Sequence, residues 1–445
     1  MTRAALTPRL LRNVKRPHRT LHLVGSTLWL ALGMIVCHPT VAAGNEAALR
    51  VRGPAPLELV RSAAPASWQR QKVDSQGSSW PQTDWAGYNT LTTLATPPGN
   101  GVIHLITPIE GDAAKGRQLA FDRTRGGSCV ACHVMGKDTP PQPGNVGPDL
   151  SLVGVTRSDE WLFNYVYDPR TFNPGSIMPP WGAHRLFNVV EIRDIVAFLK
   201  TLKVVHTFGD AQENPDSRTP PKETRDNLDP TENPAMFALD RGKELFVRAS
   251  VQGKSCASCH AAPESTMKSW AAQMPRYEAR LNKVLGVEEF ITRHARATTG
   301  AEFPMQEADN VALSVYLHHL SNSAVIRPDL SSPGARKAAA SGRALMQRKL
   351  GQLNMACVDC HTREKHAFKW ARGQYLVESR GTIAHFPTWR TSRGDIWDIR
   401  KRLQWCNVSV RANDLPPDAR EYGDIEMALA EINRGEKISS PGIRH

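Results

Sequence analysis

The stretch that decides the fold is GQLNMACVDCH, residues 351–361. Its last five residues form a C-x-x-C-H motif, which is the sequence signal for covalent attachment of a c-type haem. In such a site the two thiols, here Cys357 and Cys360, bond to the porphyrin, and His361 takes one axial position of the iron. The pattern therefore predicts a protein that is organised around haem.

Two further C-x-x-C-H motifs precede this one, and they comprise Cys129/Cys132/His133 and Cys256/Cys259/His260. A set of zinc sites is the plain alternative for repeated C-x-x-C pairs. Zinc motifs, however, do not require a histidine directly after each pair. The three motifs therefore predict three covalently bound c-type haems, each with the motif histidine as an axial ligand of the iron.

The N-terminal residues 1–43 have the pattern of a secretory signal peptide. They hold six basic residues and no acidic one, then an apolar run from Leu23 to Val36 and small residues at 41–43. Without them the formal net charge falls from +13 to +7. We expect an exported, periplasmic protein with no membrane span in the mature chain. No basic tail or basic–aromatic stripe favours nucleic-acid binding.

Of the eight cysteines, one in the mature chain lies outside the haem motifs. Cys37 falls in the predicted leader, which leaves Cys406 in the sequence RKRLQWCNVSVRA, residues 400–412. A thiol is a soft ligand that could reach the second face of the third haem, and basic neighbours favour its thiolate form. A buried, inert cysteine is the competing interpretation. The basic residues that we expect around Cys406 are Arg390, Arg393, Arg400, Lys401, Arg402 and Arg411.

The sequence pattern predicts a mostly α fold with three tandem modules, each of which resembles a class I cytochrome c. Residues 44–109 form an extension wrapped over the first haem domain or partly disordered. The first domain spans 110–206, a polar linker spans 207–233, and two further modules span 234–325 and 326–445. A flexible linker of this length would let the flanking domains dock.

In the first domain, helix caps are predicted at Asp112 and Ser158, the first of them opening a helix that runs through Arg123. A capping box is predicted between Asn188 and Glu191. Between the second and last helix lies GSIMPPWG, in which Met178 precedes two prolines that stiffen the loop. Met178 is the expected second axial ligand of the first haem, and a buried core methionine is the alternative.

Several segments resemble the SoxAX cytochromes of periplasmic sulfur oxidation. The segments PRYEARL, GQLNMACVDCH and RKRLQWCNVSVRA resemble the A subunit, and GGSCVACH, EWLFNYVYDP and SIMPPWG resemble the X subunit. The resemblance covers roughly residues 110–445. Because the two subunits are usually separate chains, this chain resembles an X–A fusion.

The resemblance implies an L-cysteine S-thiosulfotransferase. Such an enzyme joins thiosulfate oxidatively to a cysteine of the SoxYZ carrier protein and passes the electrons to an external c-type cytochrome. By resemblance Cys406 is the catalytic cysteine, an axial ligand of the third haem that is often a persulfide, and Arg402 is the active-site arginine. A guanidinium also suits sulfonate oxygens on chemical grounds alone, whereas a solvated basic surface is the bland alternative.

The chain departs from the family at the second haem. The usual cysteine ligand is replaced at the matching place in VEEFITRHARATTGA by His294. We expect His260 and His294 to bind this iron together. Alternatives for the second ligand are His318, His319 and Met305.

Two other functions compete with carrier loading. A thiosulfate dehydrogenase would join two thiosulfates into tetrathionate, and it too can use a cysteine-ligated haem. A three-haem electron carrier would need no catalysis of its own, and in it Cys406 would be structural.

Overall fold

The computed structural model describes residues 54–68, 80–125, 127–220 and 228–444. The predicted leader, with Cys37, lies outside the described residues, and so do parts of the predicted extension and linker. Residues from Pro54 onward form one compact unit. No helix in the described ranges is long and apolar enough to span a membrane.

Helices dominate the regular structure of the described part of the chain and strands are few and short, which confirms the predicted mostly α fold class. The α-helices are α1 Ala113–Phe121, α2 Val153–Thr156, α3 Asp159–Tyr167, α4 Val189–Lys200, α5 Ala235–Val247, α6 Pro263–Thr266, α7 Val287–Thr299, α8 Ala308–Leu320, α9 Pro333–Gln347, α10 Cys357–His361, α11 Ile399–Ser409 and α12 Arg420–Ile432. The strands are β1 Arg276–Glu278, β2 Lys283–Leu285, β3 Trp370–Ala371, β4 Gln374–Tyr375, β5 Thr388–Arg390, β6 Asp395–Trp397 and β7 Gly442–Arg444.

Three pairs of helices, α1 with α4, α5 with α8 and α9 with α12, pack closely against each other. In each pair a glycine of the first helix lies against the backbone of the second, where any side chain would collide. The glycines, each with the carbonyl oxygen that a Cβ atom would approach, are Gly116 with Asp194 (1.9 Å), Gly242 with Ala312 (2.3 Å) and Gly342 with Asp424 (1.9 Å). The first helix of each pair leads into a C-x-x-C-H motif. This recurrence supports the three-module interpretation, which remains a proposal.

The first pair shows why the local sequence folds as predicted. The Asp112 carboxylate accepts hydrogen bonds from the first-turn amides of α1, and Asn188 and Glu191 form a reciprocal capping box on α4. Ser158 caps α3 through the amide of Trp161. Helix α1 ends at Phe121, two residues before its predicted end, because Asp122 is extended. The apolar face of α4 is buried as its 3.6-residue period predicts.

The second and third regions repeat one another at a constant offset of 112 residues. Hairpin β1–β2 followed by α7 and α8 corresponds to hairpin β5–β6 followed by α11 and α12, because every one of these elements begins 112 residues later. Each hairpin follows a cis proline, Pro275 or Pro387. By the same offset His294 corresponds to Cys406.

The repeated hairpins contribute side chains to the cores of both regions. Val284 of β2 packs with α9 and with Met427 of α12, whereas Ile396 of β6 packs against the core around α5 and α8. A third strand, β7, pairs in parallel with β5. The second and third regions therefore share their cores and form a single unit.

We expected the N-terminal extension to pack over the first region or to be partly disordered. Its described residues instead also pack on the second and third regions. Leu57 packs in the core of the second region, and the amide of Glu58 donates to the carbonyl of Arg293 in α7. Trp80 lies against Trp405 of α11, with ring centroids 5.1 Å apart. The extension carries apolar side chains that are too widely spaced to form a periodic pattern, so its sequence did not indicate where it packs.

Residues 207–220 of the predicted linker are also docked. Arg218 is buried, and its guanidinium lies 4.6 Å from the ring centroid of Trp370. The backbone carbonyl of Pro215 accepts a hydrogen bond from Asn145. These contacts hold this part of the segment between the first and third regions.

Candidate haem sites and the Cys406 pocket

Each C-x-x-C-H motif forms a single turn in which the histidine amide hydrogen-bonds back toward the first cysteine. The amides of His133 and His260 donate to the carbonyls of Cys129 and Cys256, at 2.9 and 3.0 Å, and His361 ends the one-turn helix α10. The described cysteines form no disulfides. Burial raises the pKa of Cys129 and Cys357 to about 12, so these thiols are not reactive thiolates.

One of the predicted attachment residues, Cys259 of the second motif, does not share the environment of the others. Its side chain is exposed, whereas the other five motif cysteines are partly buried, and this differs from the enclosed position expected of a thiol that bonds to a porphyrin. The physical reason is its place in the turn, because Cys256 packs against the core of the second region while Cys259 follows exposed Ser258 at the protein surface. The turn itself is intact, since the amide of Cys259 donates to the carbonyl of Cys256 at 3.2 Å. Haem attachment through Cys259 therefore stays a prediction.

The first and third motif histidines are oriented as metal ligands. Nδ1 of His133 lies 2.7 Å from the carbonyl of Pro148, and Nδ1 of His361 lies 2.7 Å from that of Val377. A carbonyl that accepts the Nδ1 proton fixes the ring and leaves Nε2 as the ligand atom. Burial lowers the pKa of both rings, which favours the neutral form that binds a metal. These residues therefore fit an axially bound haem iron.

The second motif shows the clearest pairing of histidines. The ring centroids of His260 and His294 are 6.1 Å apart. Two imidazoles on opposite sides of one metal, each with a bond of about 2.0–2.1 Å, have centroids roughly 6 Å apart. Nδ1 of His294 also lies 2.8 Å from the carbonyl of Pro56, which leaves Nε2 free to bind a metal. The extension thus orients His294, a contact that no motif signalled.

The alternatives to His294 are engaged elsewhere. Nδ1 of His318 bonds within its own helix to the carbonyl of Ser314, and burial lowers the pKa of this ring to about 4. His319 contacts the Asn322 amide through Nδ1. Met305 is fully buried.

In the first region Met178 packs on the edge of the same core as Cys129. Its amide donates to the Ser176 hydroxyl at 3.1 Å, which holds the loop ahead of Pro179 and Pro180. The ring of His133 lies against Gly147, where a Cβ would come within 2.1 Å of the ring. Met178 as the second ligand of this haem stays a prediction.

Cys406 lies near the third haem motif. It is half-buried on α11, and it lies close enough to Cys357 and Cys360 for its charge to contribute to the raised pKa of both thiols. Arg402 is one turn earlier on the same face of α11, as a spacing of four residues requires. The charge of Arg402 contributes to the lowered pKa of His361, after burial. Helix α11 therefore brings a thiol and a guanidinium to the haem motif.

The cationic cluster around Cys406 differs from the one expected. Arg400 is fully buried on another face of α11, where it forms ion pairs with Glu289 at 2.7 Å and Glu426 at 2.9 Å. Lys401 pairs with Asp395 at 2.6 Å. These two residues were misplaced because each residue turns about 100° around the helix axis, which puts Arg400 roughly 240° and Lys401 roughly 140° away from Cys406.

A third basic residue belongs to a different surface. Arg411 donates to Gln352 Oε1 at 2.9 Å and to the carbonyl of Thr124, so it bridges the third and first regions. The cation near Cys406 from outside α11 is instead Arg390, and Arg393 and Arg444 of the C-terminal strand lie near Arg390. Arg444 was missed because its place depends on the parallel pairing of β7 with β5.

Arg393 lies over an aromatic ring beside Cys406. Its guanidinium carbon is 4.0 Å from the ring centroid of Trp405, a cation–π arrangement. Trp397 and Trp80 complete this aromatic cluster.

The first and third motifs lie close together. The charge of Cys132 contributes to the raised pKa of Cys360, and the charge of Arg372 opposes the raised pKa of both thiols. The backbone amide of Arg372 donates to the carbonyl of Ala131 at 3.0 Å, and Trp370 and Asn145 exchange two hydrogen bonds. Groups bound at these two motifs would therefore be neighbours, a short path for electrons.

Comparison with known proteins defines the class first. Residues 241–326 match the family model described as "SoxA/TsdA, cytochrome c domain". The chain therefore contains a cytochrome c domain, a class that binds haem covalently.

Two relatives then define the family. The chain is 31% identical over 226 residues to the L-cysteine S-thiosulfotransferase subunit SoxA of Pseudaminobacter salicylatoxidans, covering 50% of this chain and 77% of that protein. It is 30% identical over 225 residues to the subunit of the same name from Paracoccus pantotrophus, covering 50% and 76%. The chain belongs to the SoxA family. Membership confirms the predicted resemblance to SoxA and the enzyme class, L-cysteine S-thiosulfotransferase.

The chain also resembles a protein of known structure. The crystal structure of SoxXA from P. pantotrophus is 26% identical and covers 48% of this chain and 80% of that chain, with a TM-score of 0.45. The predicted X-like first domain is not tested by these comparisons and remains a proposal.

Proposed function

We propose that this chain joins thiosulfate oxidatively to a cysteine of a SoxYZ-type carrier protein and passes two electrons to an external c-type cytochrome. The observation that carries the proposal is helix α11, which presents Cys406 and Arg402 on one face beside the third C-x-x-C-H motif. A nucleophilic sulfur, an oxyanion-binding group and a redox centre are the three parts that this reaction needs.

The binding step uses Arg402. Among the described residues its guanidinium has no carboxylate partner and no side-chain hydrogen bond. A planar guanidinium pairs well with two oxygens of a sulfonate group. Held in this way, the outer sulfur of thiosulfate would point toward Sγ of Cys406.

The sulfur chemistry then uses Cys406. The Cys406 thiolate and the outer sulfur of thiosulfate form a sulfur–sulfur bond and give up two electrons, which leaves a Cys406–S–S–SO₃⁻ group. The bound haem would supply one-electron redox chemistry at this place. A carrier thiolate then attacks the sulfur bonded to Cys406, forms carrier–S–S–SO₃⁻ and releases Cys406 as a thiolate, so atoms and electrons balance.

The full assignment has three covalently bound haems. His133 and Met178 would ligate the first, His260 and His294 the second, and His361 and Cys406 the third. A thioether stabilises ferrous iron, so the first haem would have the highest potential and would deliver electrons to the external cytochrome. The short path between the first and third motifs supports this direction. We place the mature protein in the periplasm.

A ligand test addresses the first haem. Met178→Leu should abolish the weak methionine–ferric charge-transfer band at the red end of the spectrum, while total haem stays unchanged. A band that survives would show that Met178 is not the ligand.

Reconstitution tests the function. The holoprotein is incubated with thiosulfate and an oxidised c-type cytochrome, with and without a SoxYZ-type carrier. We expect the carrier to gain the mass of one thiosulfate group for every two cytochromes reduced. Tetrathionate formed without the carrier would indicate the thiosulfate dehydrogenase instead. No thiosulfate-dependent reduction at all would leave the electron-carrier interpretation.

A further inference from the structure

Arg390, at the end of β5, is the basic residue whose surroundings are hardest to explain by folding alone. Its Nε atom is buried and has no hydrogen-bond partner within the described ranges. A buried guanidinium nitrogen without a partner is costly, since polar groups inside proteins are normally hydrogen-bonded. Its position therefore indicates an anionic partner from outside the described residues.

The carboxylate nearest in register does not neutralise Arg390. Asp395 lies directly across the hairpin from it, but one oxygen of Asp395 already accepts from Lys401 Nζ at 2.6 Å and from Trp397 Nε1 at 3.0 Å. The other oxygen accepts from the amide of Ile396. In the parallel pair on the other side, the residue opposite Arg390 is a second arginine, Arg444.

Four charged groups lie close enough to Arg390 to affect its pKa, and they are Arg402, Cys406, Arg444 and Arg393. Burial, followed by the charge of Arg402, lowers the pKa of Arg390 to about 9, and Cys406 opposes that shift. Arg390 is thus close to both residues that the proposed reaction uses, and it approaches them from β5 rather than from α11. Two guanidiniums from different elements make a site for an oxyanion that has several acceptors.

We propose that Arg390 is a second sulfonate-binding residue, which with Arg402 holds the SO₃ group of thiosulfate while its outer sulfur meets Cys406. This inference rests on the proposed function. It adds a specificity: the pocket selects a substrate with a tetrahedral, anionic oxygen end, and it disfavours sulfide or a neutral thiol, which have no oxygens for the two guanidiniums. Strand β7 supports the site by holding β5 in place.

Direct binding tests the inference without turnover. Thiosulfate binding is measured by equilibrium dialysis on the haem-loaded Cys406→Ser protein and on the same protein with Arg390→Ala, Arg390→Lys or Arg336→Ala added. Arg336 is an exposed arginine on α9 and serves as the control. Losing a charge-assisted pair should weaken binding by about 10- to 100-fold in Arg390→Ala, with a smaller loss in Arg390→Lys and none in Arg336→Ala.

A second measurement keeps the result interpretable. The reduction potentials of the haems are titrated in wild type and Arg390→Ala, because the alternative partner for Arg390 is a haem propionate. Unchanged thiosulfate binding, with or without a shifted potential, would overturn the inference. If thiosulfate binds and depends on Arg390 but no carrier is ever loaded, the proposed function fails while the binding site stands.

Discussion

Helices α7 and α11 occupy equivalent places in the 112-residue repeat, yet their environments differ in chemistry. On α7, His294 is stacked on Phe290, with ring centroids 5.1 Å apart, and Phe290 also packs on Trp270. By the offset, Phe290 corresponds to Arg402 and Trp270 to Thr382. The positions of these two aromatic rings are therefore taken in the third region by a guanidinium and a hydroxyl.

The difference extends to the hairpins that precede the helices. Glu278 at the end of β1 pairs with Arg280 at 2.8 Å, and at the corresponding position β5 ends in Arg390, which has no such partner in the described chain. At the end of β1 a carboxylate is therefore neutralised by a neighbouring arginine. At the end of β5 an arginine instead adds positive charge close to the Cys406 sulfur, so one repeated scaffold holds two environments of different charge.

The largest effect is expected from removing the sulfur. Cys406→Ala should keep all haems attached and lower carrier loading by at least about 10³-fold, because the covalent step has no other nucleophile. The matched change on the other helix, His294→Ala, should alter the spectrum of the second haem and leave carrier loading close to wild type. Equal loss of loading in both variants would contradict the distinction between the two sites.

The next effect comes from exchanging the residue that precedes each ligand by one helical turn. Arg402→Phe gives α11 the residue that α7 has in this position, and it should raise the KM for thiosulfate by about 10- to 100-fold through loss of a charge-assisted pair. Phe290→Leu on α7 is the control and should not change this KM. Steady-state kinetics at saturating carrier separates KM from kcat. A fall in kcat alone would show that Arg402 acts on the chemical step instead.

The helix crossings allow a stability test of the repeat. Gly242→Ala and Gly342→Ala place a methyl group 2.3 and 1.9 Å from a carbonyl oxygen of the facing helix. Each should lower the free energy of unfolding by about 1–3 kcal/mol, as overpacking does. Denaturant unfolding of the holoprotein measures this, with Gly209→Ala as the control because nothing lies near the added methyl group. A large loss from only one crossing glycine would weaken the equivalence.

The smallest effect concerns pH. Burial, with the charges of Asp398 and Glu426, raises the pKa of Glu288 to about 8, whereas the corresponding residue on α11 is Arg400. The native state then binds this proton more tightly than the unfolded state, whose carboxyl titrates near 4.5. The free energy of unfolding should therefore fall as pH rises from about 4.5 to about 8. Glu288→Gln should flatten this slope, and the exposed Glu264→Gln should not.

The sequence predicted those features that depend on local chemistry. The caps at Asp112, Ser158 and Asn188 were predicted because a cap needs only a few neighbouring residues. The cytochrome class followed from the C-x-x-C-H motifs for the same reason. How deeply each motif lies in the protein is not local, and the exposure of Cys259 could not be read from its motif.

Features that depend on distant pairing were not predicted. The three-residue hairpins are too short to show alternation, and the carbonyl of Pro56 that orients His294 lies 238 residues away from it along the chain. Arg444 comes to lie beside Arg390 only through the parallel pairing of β7 with β5. Arg400 was wrongly predicted to lie beside Cys406 because it is near Cys406 in sequence, although it is on another face of the helix. Arg402 does lie on the same face as Cys406, because it is four residues, about one helical turn, before it.

The central claim is that Cys406 carries the sulfur of thiosulfate. The direct measurement is peptide mass analysis of the holoprotein before and after thiosulfate and oxidised cytochrome are added, followed by addition of the carrier. The account predicts a thiosulfate group on the Cys406 peptide that disappears as the carrier gains it, at a rate no slower than turnover. As isolated, the same peptide should show a gain of about 32 Da if the persulfide forms. A carrier that is loaded at the wild-type rate while the Cys406 peptide stays unmodified would contradict the account.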